Sequence, residues 1–329
     1  MQDNEKAYQV SVIICCYNSA ARLPETLQHL ARQAVPEGFL WQLLIVNNAS
    51  TDDTATAANH LWNTLKPANV LLSIINEPRP GQMHARKTGV QQALAECIVF
   101  CDDDNWLDKN YVYTAYHTLN QDARIGAAGG QNLPVTDAPE YPGWWEEYKD
   151  KYATGIPAAQ SGDISHRGFI LGAGMVTRRQ LFLQLLDEKY PSLLNGRNGE
   201  KLSTGDDFEY SKRLLLRGYT LYYNQQLKLQ HFIPQERLTL AYRNRLMEGI
   251  DEAGQMLKHY DDAWFVVRKH GHKNRLKLAV MAPLRILLAK LGISRRSVEE
   301  ERLKLFYLTP FNSSGNPEKM RIKKFLQHK

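Results

Sequence analysis

The sequence predicts an α/β protein with a central, mostly parallel sheet and a helical, basic C-terminal extension. Near-continuous apolar runs, typical of strands buried on both faces, alternate with amphipathic segments through the first hundred residues. This βαβ alternation favours parallel strands joined by right-handed crossovers. An excess of basic residues after residue 264 distinguishes the extension from the rest of the chain.

Four apolar runs predict the strands, at residues 10–16, 43–46, 70–75 and 97–101. Amphipathic segments around 23–30, 55–65 and 90–94 predict the helices between them, and Ser50 with Asp53 has the spacing of a capping box at the start of the second helix. Each apolar run is followed by polar residues. Because the carboxyl ends of parallel strands share one edge of a sheet, these polar residues are expected to line one rim.

Composition and length are ordinary for a soluble globular protein. The chain has 329 residues, of which 43% are hydrophobic and 23% charged. The first six residues are polar, and no stretch offers eighteen uncharged apolar residues, so we expect neither secretion nor a membrane span. The cysteines lie inside apolar runs without zinc-site spacing, which predicts buried, reduced thiols in a cytoplasmic protein. They are Cys15, Cys16, Cys97 and Cys101.

The net charge of +6 conceals an asymmetry between the two parts of the chain. Residues 265–329 hold 16 Lys and Arg against 4 Glu, a net +12, and the preceding residues carry −6. Within this basic segment, residues 276–293 mix aliphatic side chains with Lys and Arg, and Pro283 is expected to interrupt the helix there. The charges argue against a membrane span, and the helix is expected either to lie at a membrane interface or to pack on the protein.

Three consecutive carboxylates, Asp102, Asp103 and Asp104, follow the fourth apolar run. Carboxylates at the carboxyl end of a strand favour a divalent cation such as Mg²⁺ or Mn²⁺ with a nucleotide, while a solvated acidic turn is the alternative. The phosphate-binding motifs of P-loop NTPases and ordinary dehydrogenases are absent. Asn105-Trp106 also disfavours an aspartate-nucleophile phosphatase, which would place Thr or Val after a D-x-D motif.

An ordered set of short motifs resembles the family-2 inverting glycosyltransferases of the GT-A fold. The matching segments, which together cover roughly residues 8–235, are residues 11–18, 45–52, Gly81 with Ala85, Arg86 and Gly89, the Asp triplet, 172–175, 204–207, Arg213 with Gly218, and His231. The resemblance implies a glycosyltransferase domain over residues 1–235, with a nucleotide-binding part at about 8–130 and an acceptor-side part at about 131–235. Residues 236–329 form the predicted helical extension.

The resemblance also implies roles for individual residues on the donor side. The residues implied to bind the donor are Tyr17, Asn18, Asn47, Arg86, Asp102 and Asp103. In the D-x-D motif, Asp104 is implied to bind Mg²⁺ or Mn²⁺ directly, supported by Asp102, and His231 matches a family histidine that reaches metal or pyrophosphate. Arg86 alone also fits a solvent-facing helical arginine, and His231 alone fits a structural histidine.

Three positions depart from the family pattern: Asn47 stands where Asp is usual, Cys16 where Pro is frequent, and Lys87 where Asn is common. The family's Asp accepts a hydrogen bond from the uracil imide. Because Asn can also accept through its carbonyl oxygen, uridine is weakened as the donor base without being excluded.

On the acceptor side, Asp207 matches the family's general base and Asp206 its acidic partner. The spacing of Thr204 and Asp207 also fits a helix cap, so the residues alone leave both roles open. Gly172 and Gly174 are expected to allow a close backbone approach beside the sugar. Trp144 and Trp145 suit either an acceptor wall or the packing of an irregular subdomain.

Beyond residue 240, one further helix is expected to contact the donor or shield the site. The residues of this helix that are expected near the site are Arg243, Arg245, Glu248 and Gly249.

The expected function is therefore inverting transfer of a sugar from a nucleotide-sugar donor to a hydroxyl acceptor, in polysaccharide or cell-surface glycan synthesis. The acceptor is expected to be a glycan or a lipid-linked sugar. The enzyme is expected in the cytoplasm, peripherally at the inner face of the membrane through residues 265–329, without a nucleic-acid partner. The alternatives are a nucleotidyltransferase on a related fold and a non-catalytic nucleotide-binding scaffold protein.

Overall fold

The structure is a computed structural model that describes residues 7–194, 196, 204–270, 275–293, 297–309 and 314–327; of residues 275–279 it describes the backbone only. Its strands are β1 Val10–Cys16, β2 Trp41–Asn48, β3 Val70–Glu77, β4 Cys97–Cys101, β5 Asn105–Leu107, β6 Ile125–Val135, β7 Gly162–Asp163, β8 Val176–Arg178 and β9 Thr220–Phe232. Its helices are α1 Leu23–Ala31, α2 Thr54–Leu65, α3 Gln82–Gln92, α4 Tyr111–Asn120, α5 Trp145–Tyr148, α6 Arg179–Leu185, α7 Asp206–Leu216, α8 Leu240–His270, α9 Arg275–Lys290, α10 Val298–Leu308 and α11 Pro317–Gln327.

The strands form one sheet in the order β3-β2-β1-β4-β8-β6-β9-β5, with β7 beside β9. The four strands predicted from apolar runs are parallel to one another and adjacent in this sheet. Both faces of the sheet are covered: Val12 and Ile14 belong to one core cluster, while the intervening Ile13 packs with Leu44 in the other. Burial on both faces explains why these strands are apolar throughout instead of alternating.

The second half of the sheet is mixed, and it carries the far side of the candidate site. Strand β8 runs antiparallel to β4, and β9 pairs with both β6 and β5. The register of β5 with β9 places Asn105 opposite His231. A histidine that lies far along the chain is thereby brought beside the Asp triplet.

Two helix starts differ from the sequence prediction. Helix α2 begins at Thr54, and the backbone N–H of Thr54 donates to the Asp52 carboxylate at 3.1 Å, so the predicted capping box of Ser50 and Asp53 does not form. Helix α3 spans Gln82–Gln92, earlier than the predicted segment, because the backbone at Ala93 is extended.

Helices α10 and α11 pack against α8. Side chains of α10 and α11, including Tyr307 and Phe325, are buried in the same core cluster as Tyr210 and Leu214. Helix α9 instead packs against α10. It continues through Pro283, where an interruption of the helix was predicted. Within the described residues, no helix combines the length and apolar character needed to cross a bilayer.

Four apolar side chains of α9 and its end are at least 48% exposed: Val280, Leu284, Leu287 and Leu291. They recur at intervals of three and four residues and so share one side of the helix. The side chain of Leu276, at the start of the same predicted row, lies outside the described residues.

Candidate active site

A cavity of about 1050 Å³ opens at the carboxyl ends of β1, β2 and β4. The polar residues that follow the parallel strands do meet at this edge, as the sequence predicted. Helix α3 and the start of α7 contribute buried side chains to its wall, and α8 contributes apolar side chains. The cavity therefore gathers residues from most of the chain's length.

The first predicted donor residues, Tyr17 and Asn18, are placed differently. Tyr17 is 50% exposed and lines the cavity. Asn18 adopts a left-handed backbone conformation, with φ 50°, and its Oδ1 accepts the backbone N–H of Thr51 at 2.8 Å. Its own N–H donates to Ser50 Oγ at 3.1 Å. Asn18 therefore joins the loops after β1 and β2 and does not line the cavity.

Asn47 and Asn48, the two asparagines that end β2, differ in their position relative to the cavity. Asn47 donates to Asn76 Oδ1 at 3.2 Å, does not line the cavity, and keeps a buried Oδ1 without a hydrogen-bond partner among the described residues. Asn48 lines the cavity and fixes the following turn. Its side chain donates to Arg79 O at 2.6 Å and accepts from Gly81 N at 2.8 Å.

The carboxylates of the Asp triplet point in three directions. Asp103 accepts from Ser19 Oγ and lies 2.6 Å from Arg22 Nη2, so it is tied to the start of α1. Burial raises the pKa of Asp103, and the neighbouring Asp104 adds to that shift against the opposing charge of Arg22. Asp103 therefore serves an internal ion pair at the edge of the cavity.

Asp104 faces a cluster that the sequence revealed only in part. One of its oxygens lies 3.5 Å from His231 Nε2, and the other accepts from Arg237 Nη1 at 2.9 Å. His231 is buried, and its Nδ1 has no hydrogen-bond partner among the described residues. Arg237, which follows His231 closely on the same chain segment, was missed by the sequence analysis. Its place after a predicted ligand histidine was the only available signal.

Asp102 offers the carboxylate that is least engaged by neighbours. No hydrogen bond to its side-chain oxygens is formed by the described residues, and it lines the cavity. Burial and the nearby Asp104 raise the pKa of Asp102, while Arg86 lowers it. A carboxyl at this place is available to a ligand in the cavity.

The predicted cation would use Asp104, His231 and Asp102. No group of three or more His, Cys, Asp or Glu side chains is preassembled for a metal in the part of the chain that the structure describes. Mg²⁺, however, is commonly held by one or two carboxylates together with substrate phosphates and water. Asp104 with Asp102 fits that donor set, and His231 Nε2 lies beside it, 3.5 Å from Asp104.

Arg86 and Asp206 form a buried ion pair across the cavity floor. Arg86 Nη1 lies 2.5 Å from Asp206 Oδ2, and both residues are at most 6% exposed. Burial by itself would lower the pKa of the Arg86 guanidinium, but the negative charges of Asp206 and Asp102 outweigh this effect and raise it. Arg86 is therefore not a solvent-facing helical arginine. It links α3 to the start of α7.

Asp207 faces the cavity from the first turn of α7. Gly205, with φ 93°, occupies the N-cap position, and Asp207 Oδ2 accepts the backbone N–H of Gly172 at 2.6 Å, so Asp207 forms no capping box with Thr204. A Cβ at Gly172 would lie 2.8 Å from Arg86 Nη2 and 3.1 Å from Asp207 Oδ2, which explains why glycine is needed there. Burial, followed by the charge of Asp206, raises the pKa of Asp207 to about 7.

The acceptor-side aromatics are only partly where the sequence suggested. Trp145 is buried against Tyr152 and Leu246, and neither Trp144 nor Trp145 lines the cavity, so both belong to subdomain packing. The four α8 residues that were expected near the donor do not line the cavity either; they are Arg243, Arg245, Glu248 and Gly249. Their apolar neighbours do, and the sequence analysis did not select them: Tyr242, Leu246, Ile250, Ala253, Gly254 and Leu257.

All four cysteines are free, as predicted, and three of them are buried. Cys15 is half-buried and lines the cavity. Burial raises the pKa of its thiol to about 12 against the opposing charge of Arg86. The thiol therefore stays protonated near neutral pH and offers no reactive thiolate to the cavity.

Two family models match this chain. The model described as "Glycosyl transferase family 2" matches residues 11–181, and the model described as "Glycosyl transferase family group 2" matches residues 97–296.

Curated relatives match over part of the chain. YwdF of Bacillus subtilis, an uncharacterized glycosyltransferase, is 29% identical over 105 residues, which are 32% of this chain and 35% of that protein. Mb0553 of Mycobacterium bovis, also an uncharacterized glycosyltransferase, is 34% identical over 126 residues, 38% of this chain and 50% of that protein. The matched stretch thus spans between a third and a half of these relatives' lengths.

Among solved structures, Staphylococcus aureus TarS 1-349 in complex with UDP-GlcNAc is similar in fold. The TM-score is 0.51 at 18% sequence identity, and the similarity covers 91% of this chain and 79% of that chain. This similarity, together with the nine-stranded sheet, confirms the predicted GT-A-like fold class.

Proposed function

Because the chain belongs to glycosyl transferase family 2, we propose that it moves a sugar from a nucleotide-sugar donor to a hydroxyl group of an acceptor, with inversion at the anomeric carbon. The observation that carries this proposal is that Asp207 shares one cavity with Asp102 and Asp104. A base on one side and a phosphate-binding group on the other are what a direct displacement requires.

Asp207 is proposed as the general base. Its pKa of about 7 suits a group that must accept a proton at neutral pH. The hydrogen bond from Gly172 N fixes one carboxylate oxygen, and the Arg86–Asp206 ion pair holds the start of α7 beside it. The acceptor hydroxyl attacks the anomeric carbon as the bond from that carbon to the diphosphate breaks. The proton of the hydroxyl passes to Asp207. Asp206, paired with Arg86, is proposed to position this base.

On the leaving-group side, Asp104, Asp102 and His231 are proposed to hold Mg²⁺ or Mn²⁺. A bound divalent ion would stabilise the negative charge that develops on the departing nucleoside diphosphate. Arg237 lies 2.9 Å from Asp104 and lines the same cavity, so its guanidinium supplies further positive charge beside these carboxylates. Tyr17 is proposed to contact the nucleoside at the cavity wall.

At the end of β2, Asn48 lines the cavity and Asn47 does not, so the donor base is proposed to lie beside Asn48 and Tyr17. TarS is solved with UDP and with UDP-GlcNAc, which supports testing uridine donors first. A curated relative that matches part of this chain is TarS of Staphylococcus aureus, named as a poly(ribitol-phosphate) beta-N-acetylglucosaminyltransferase. A cell-surface polymer or its lipid-linked precursor is accordingly the proposed acceptor class.

We further propose that the protein works at the inner, anionic face of the cytoplasmic membrane. The exposed apolar row of α9, defined by Val280, Leu284, Leu287 and Leu291, lies within the segment that carries a net charge of +12. Apolar insertion combined with basic residues is the usual basis of interfacial binding.

The test is a panel of UDP-, GDP- and dTDP-sugars with the full chain, Mn²⁺ or Mg²⁺, and simple hydroxyl acceptors. We expect release of the nucleoside diphosphate and formation of a β-configured product from an α-linked donor. Release of pyrophosphate would instead identify a nucleotidyltransferase. Binding of a nucleotide without turnover of any donor would favour a scaffold protein and contradict the enzymatic proposal.

A further inference from the structure

One wall of the cavity is apolar and is built largely from α8. Four residues spaced by three or four positions present one side of this helix to the cavity: Leu246, Ile250, Gly254 and Leu257. Ile156, which is 60% exposed, and Leu171 line the cavity as well. We name the part of the cavity lined by Ile156, Phe169, Leu171, Phe208 and these α8 residues the apolar lobe.

The apolar lobe begins directly at the proposed base. Phe208 follows Asp207 in the chain, and its ring stacks on Phe169 with the centroids 4.1 Å apart. Both rings line the cavity. Asp104 and Arg237 pair at the predicted metal site. Two other arginines that line the cavity lie nearer the lobe: Arg86 beside Asp207, and Arg167 with its guanidinium 5.3 Å from the Phe169 ring centroid. The apolar lobe therefore adjoins the side from which an acceptor hydroxyl must approach Asp207.

A purely hydrophilic acceptor would leave this lobe without complementary contacts. Sugar-binding walls generally combine an aromatic face with several polar side chains that read the hydroxyl groups. The α8 row offers two leucines, one isoleucine and a glycine, while the polar side chains that line this part of the cavity, including Asp150, Lys151 and Arg167, come from another segment of the chain. A Cβ built at Gly254 meets no atom within 4 Å, so the helix leaves open space at this position.

We propose that the apolar lobe binds the hydrocarbon chain of an amphiphilic acceptor, whose hydroxyl-bearing head lies at Asp207. This inference rests on the proposed function and specifies its acceptor as a molecule with a linear or isoprenoid aliphatic chain. Continuity of the lobe with the proposed base selects this occupant over a second protein, because the chain must share a cavity with the reacting hydroxyl.

The first test compares two probes with the same head, methyl β-D-glucoside and octyl β-D-glucoside below its micellar concentration, by calorimetric titration of the full chain. We expect only the octyl compound to bind measurably. Lengthening the alkyl chain should lower its Kd by up to roughly fourfold per buried methylene until the lobe is filled. Equal affinity of the methyl and octyl compounds would overturn the proposal.

The matched variants are Gly254→Phe, which places a ring in the open space of the lobe, and Gln255→Phe, which places the same ring on an exposed neighbouring position outside it. We expect Gly254→Phe to weaken octyl glucoside binding at least tenfold and Gln255→Phe to leave it unchanged. If Gly254→Phe does not fold, Ile250→Gln at the same wall provides the second variant, with the same expectation. Equal effects of Gly254→Phe and Gln255→Phe would contradict the assignment.

Failure of this inference can be separated from failure of the proposed function. Stabilisation of the protein by UDP with Mn²⁺, and turnover of the donor panel, are measured on the same variants without any alkyl compound. Turnover with no dependence on alkyl length would leave the glycosyltransferase proposal standing and reject the apolar acceptor. Loss of donor turnover in every condition would reject the function on which the inference rests.

Discussion

Asp207 occupies a position where helix capping and catalysis had to be distinguished. In the structure its carboxylate accepts from Gly172 N at 2.6 Å and from the Phe208 backbone at 2.9 Å, and Gly205 is the N-cap residue. These contacts orient the carboxylate toward the cavity. The geometry therefore agrees with the role of base that we propose.

Replacement of Asp207 by Asn keeps the size of the side chain and removes the group that accepts the proton. We expect the transfer rate to fall by roughly 10²–10⁴-fold, the usual contribution of a general base. Donor binding, measured as the shift in melting temperature with UDP and Mn²⁺, should remain unchanged. A loss of stability with the transfer rate intact would show that the base lies elsewhere.

The raised pKa of Asp207 also predicts the pH dependence of transfer. Because the base must be ionised and its pKa is about 7, kcat/KM should be constant above that pH and fall as the pH decreases below it. The same acidic limb should disappear from the residual activity of Asp207→Asn. Persistence of the limb in this variant would assign it to another group.

Asp104 is the predicted residue with the closest link to the cation. Asp104→Asn should abolish most of the dependence of nucleotide binding on Mn²⁺, because an amide is a weaker ligand than a carboxylate. Titration of UDP with and without Mn²⁺ measures this directly. Asp103→Asn is the matched control, since Asp103 is tied to Arg22 at 2.6 Å, and it should retain the Mn²⁺ effect. An unchanged Mn²⁺ effect in Asp104→Asn would remove Asp104 from the metal site.

At the scale of elements, α7 is held to α8 and to the loop after α6 by a buried network around Arg213. Arg213 lies 2.8 Å from Glu209 Oε1 and donates to Tyr260 Oη at 3.0 Å and to Leu185 O at 2.6 Å. Glu209 in turn accepts the backbone N–H of Leu194 at 2.8 Å. Asp206, Glu209 and Arg213 follow one another at intervals of three and four residues, so this network fixes α7 along the side that carries Asp206.

Arg213→Met should lower the free energy of unfolding by about 3–5 kcal/mol, because it leaves the Glu209 carboxylate buried without its partner. Urea unfolding monitored by tryptophan fluorescence provides the measurement. Lys258→Met is the control, since Lys258 forms an exposed pair with Asp262 on the outer side of α8, and its unfolding midpoint should stay near that of the unchanged protein. Similar urea unfolding midpoints for the two variants would show that the network around Arg213 does not contribute to the free energy of unfolding.

At the scale of the whole molecule, the basic C-terminal helices contribute in two ways. Helices α10 and α11 bury Tyr307 and Phe325 in the core cluster that includes Tyr210, so removing them would uncover part of that core. Helix α9 leaves its apolar row exposed. Membrane binding is therefore best tested by point substitutions on α9 instead of truncation.

The double variant Leu284→Glu, Leu287→Glu should lose binding to vesicles that contain anionic lipid, because it places two carboxylates in the apolar row. Sedimentation of the full chain with anionic and neutral vesicles at low and high salt measures the binding. Each basic residue near an anionic surface contributes about 1 kcal/mol, so high salt should weaken it too.

The control Asn244→Glu, Gln255→Glu adds the same charge at exposed positions of α8 and should bind almost as well as the unchanged protein. Equal sedimentation of the two double variants would contradict the role of α9.

The parallel half of the sheet could be predicted from apolar patterns in the sequence. Continuous apolar runs such as Val10–Cys16 reflect burial on both faces, a requirement that each strand meets through its own residues. The ordered motifs also identified the family. Local patterns therefore specified these four strands, the edge of the sheet and the chemical types of the side chains gathered there.

The directions in which those side chains point depend on contacts between distant parts of the chain. Asp103 turns to Arg22, 81 residues away, and Asp104 to Arg237, 133 residues away. Arg86 pairs with Asp206 across 120 residues. The apolar row of α8 likewise borders the cavity as well as the core, because Leu246 and Leu257 belong to core clusters and also line the cavity. Such pairings depend on which surfaces meet when the sheet, α7 and α8 pack together, and no short stretch of sequence contains that information.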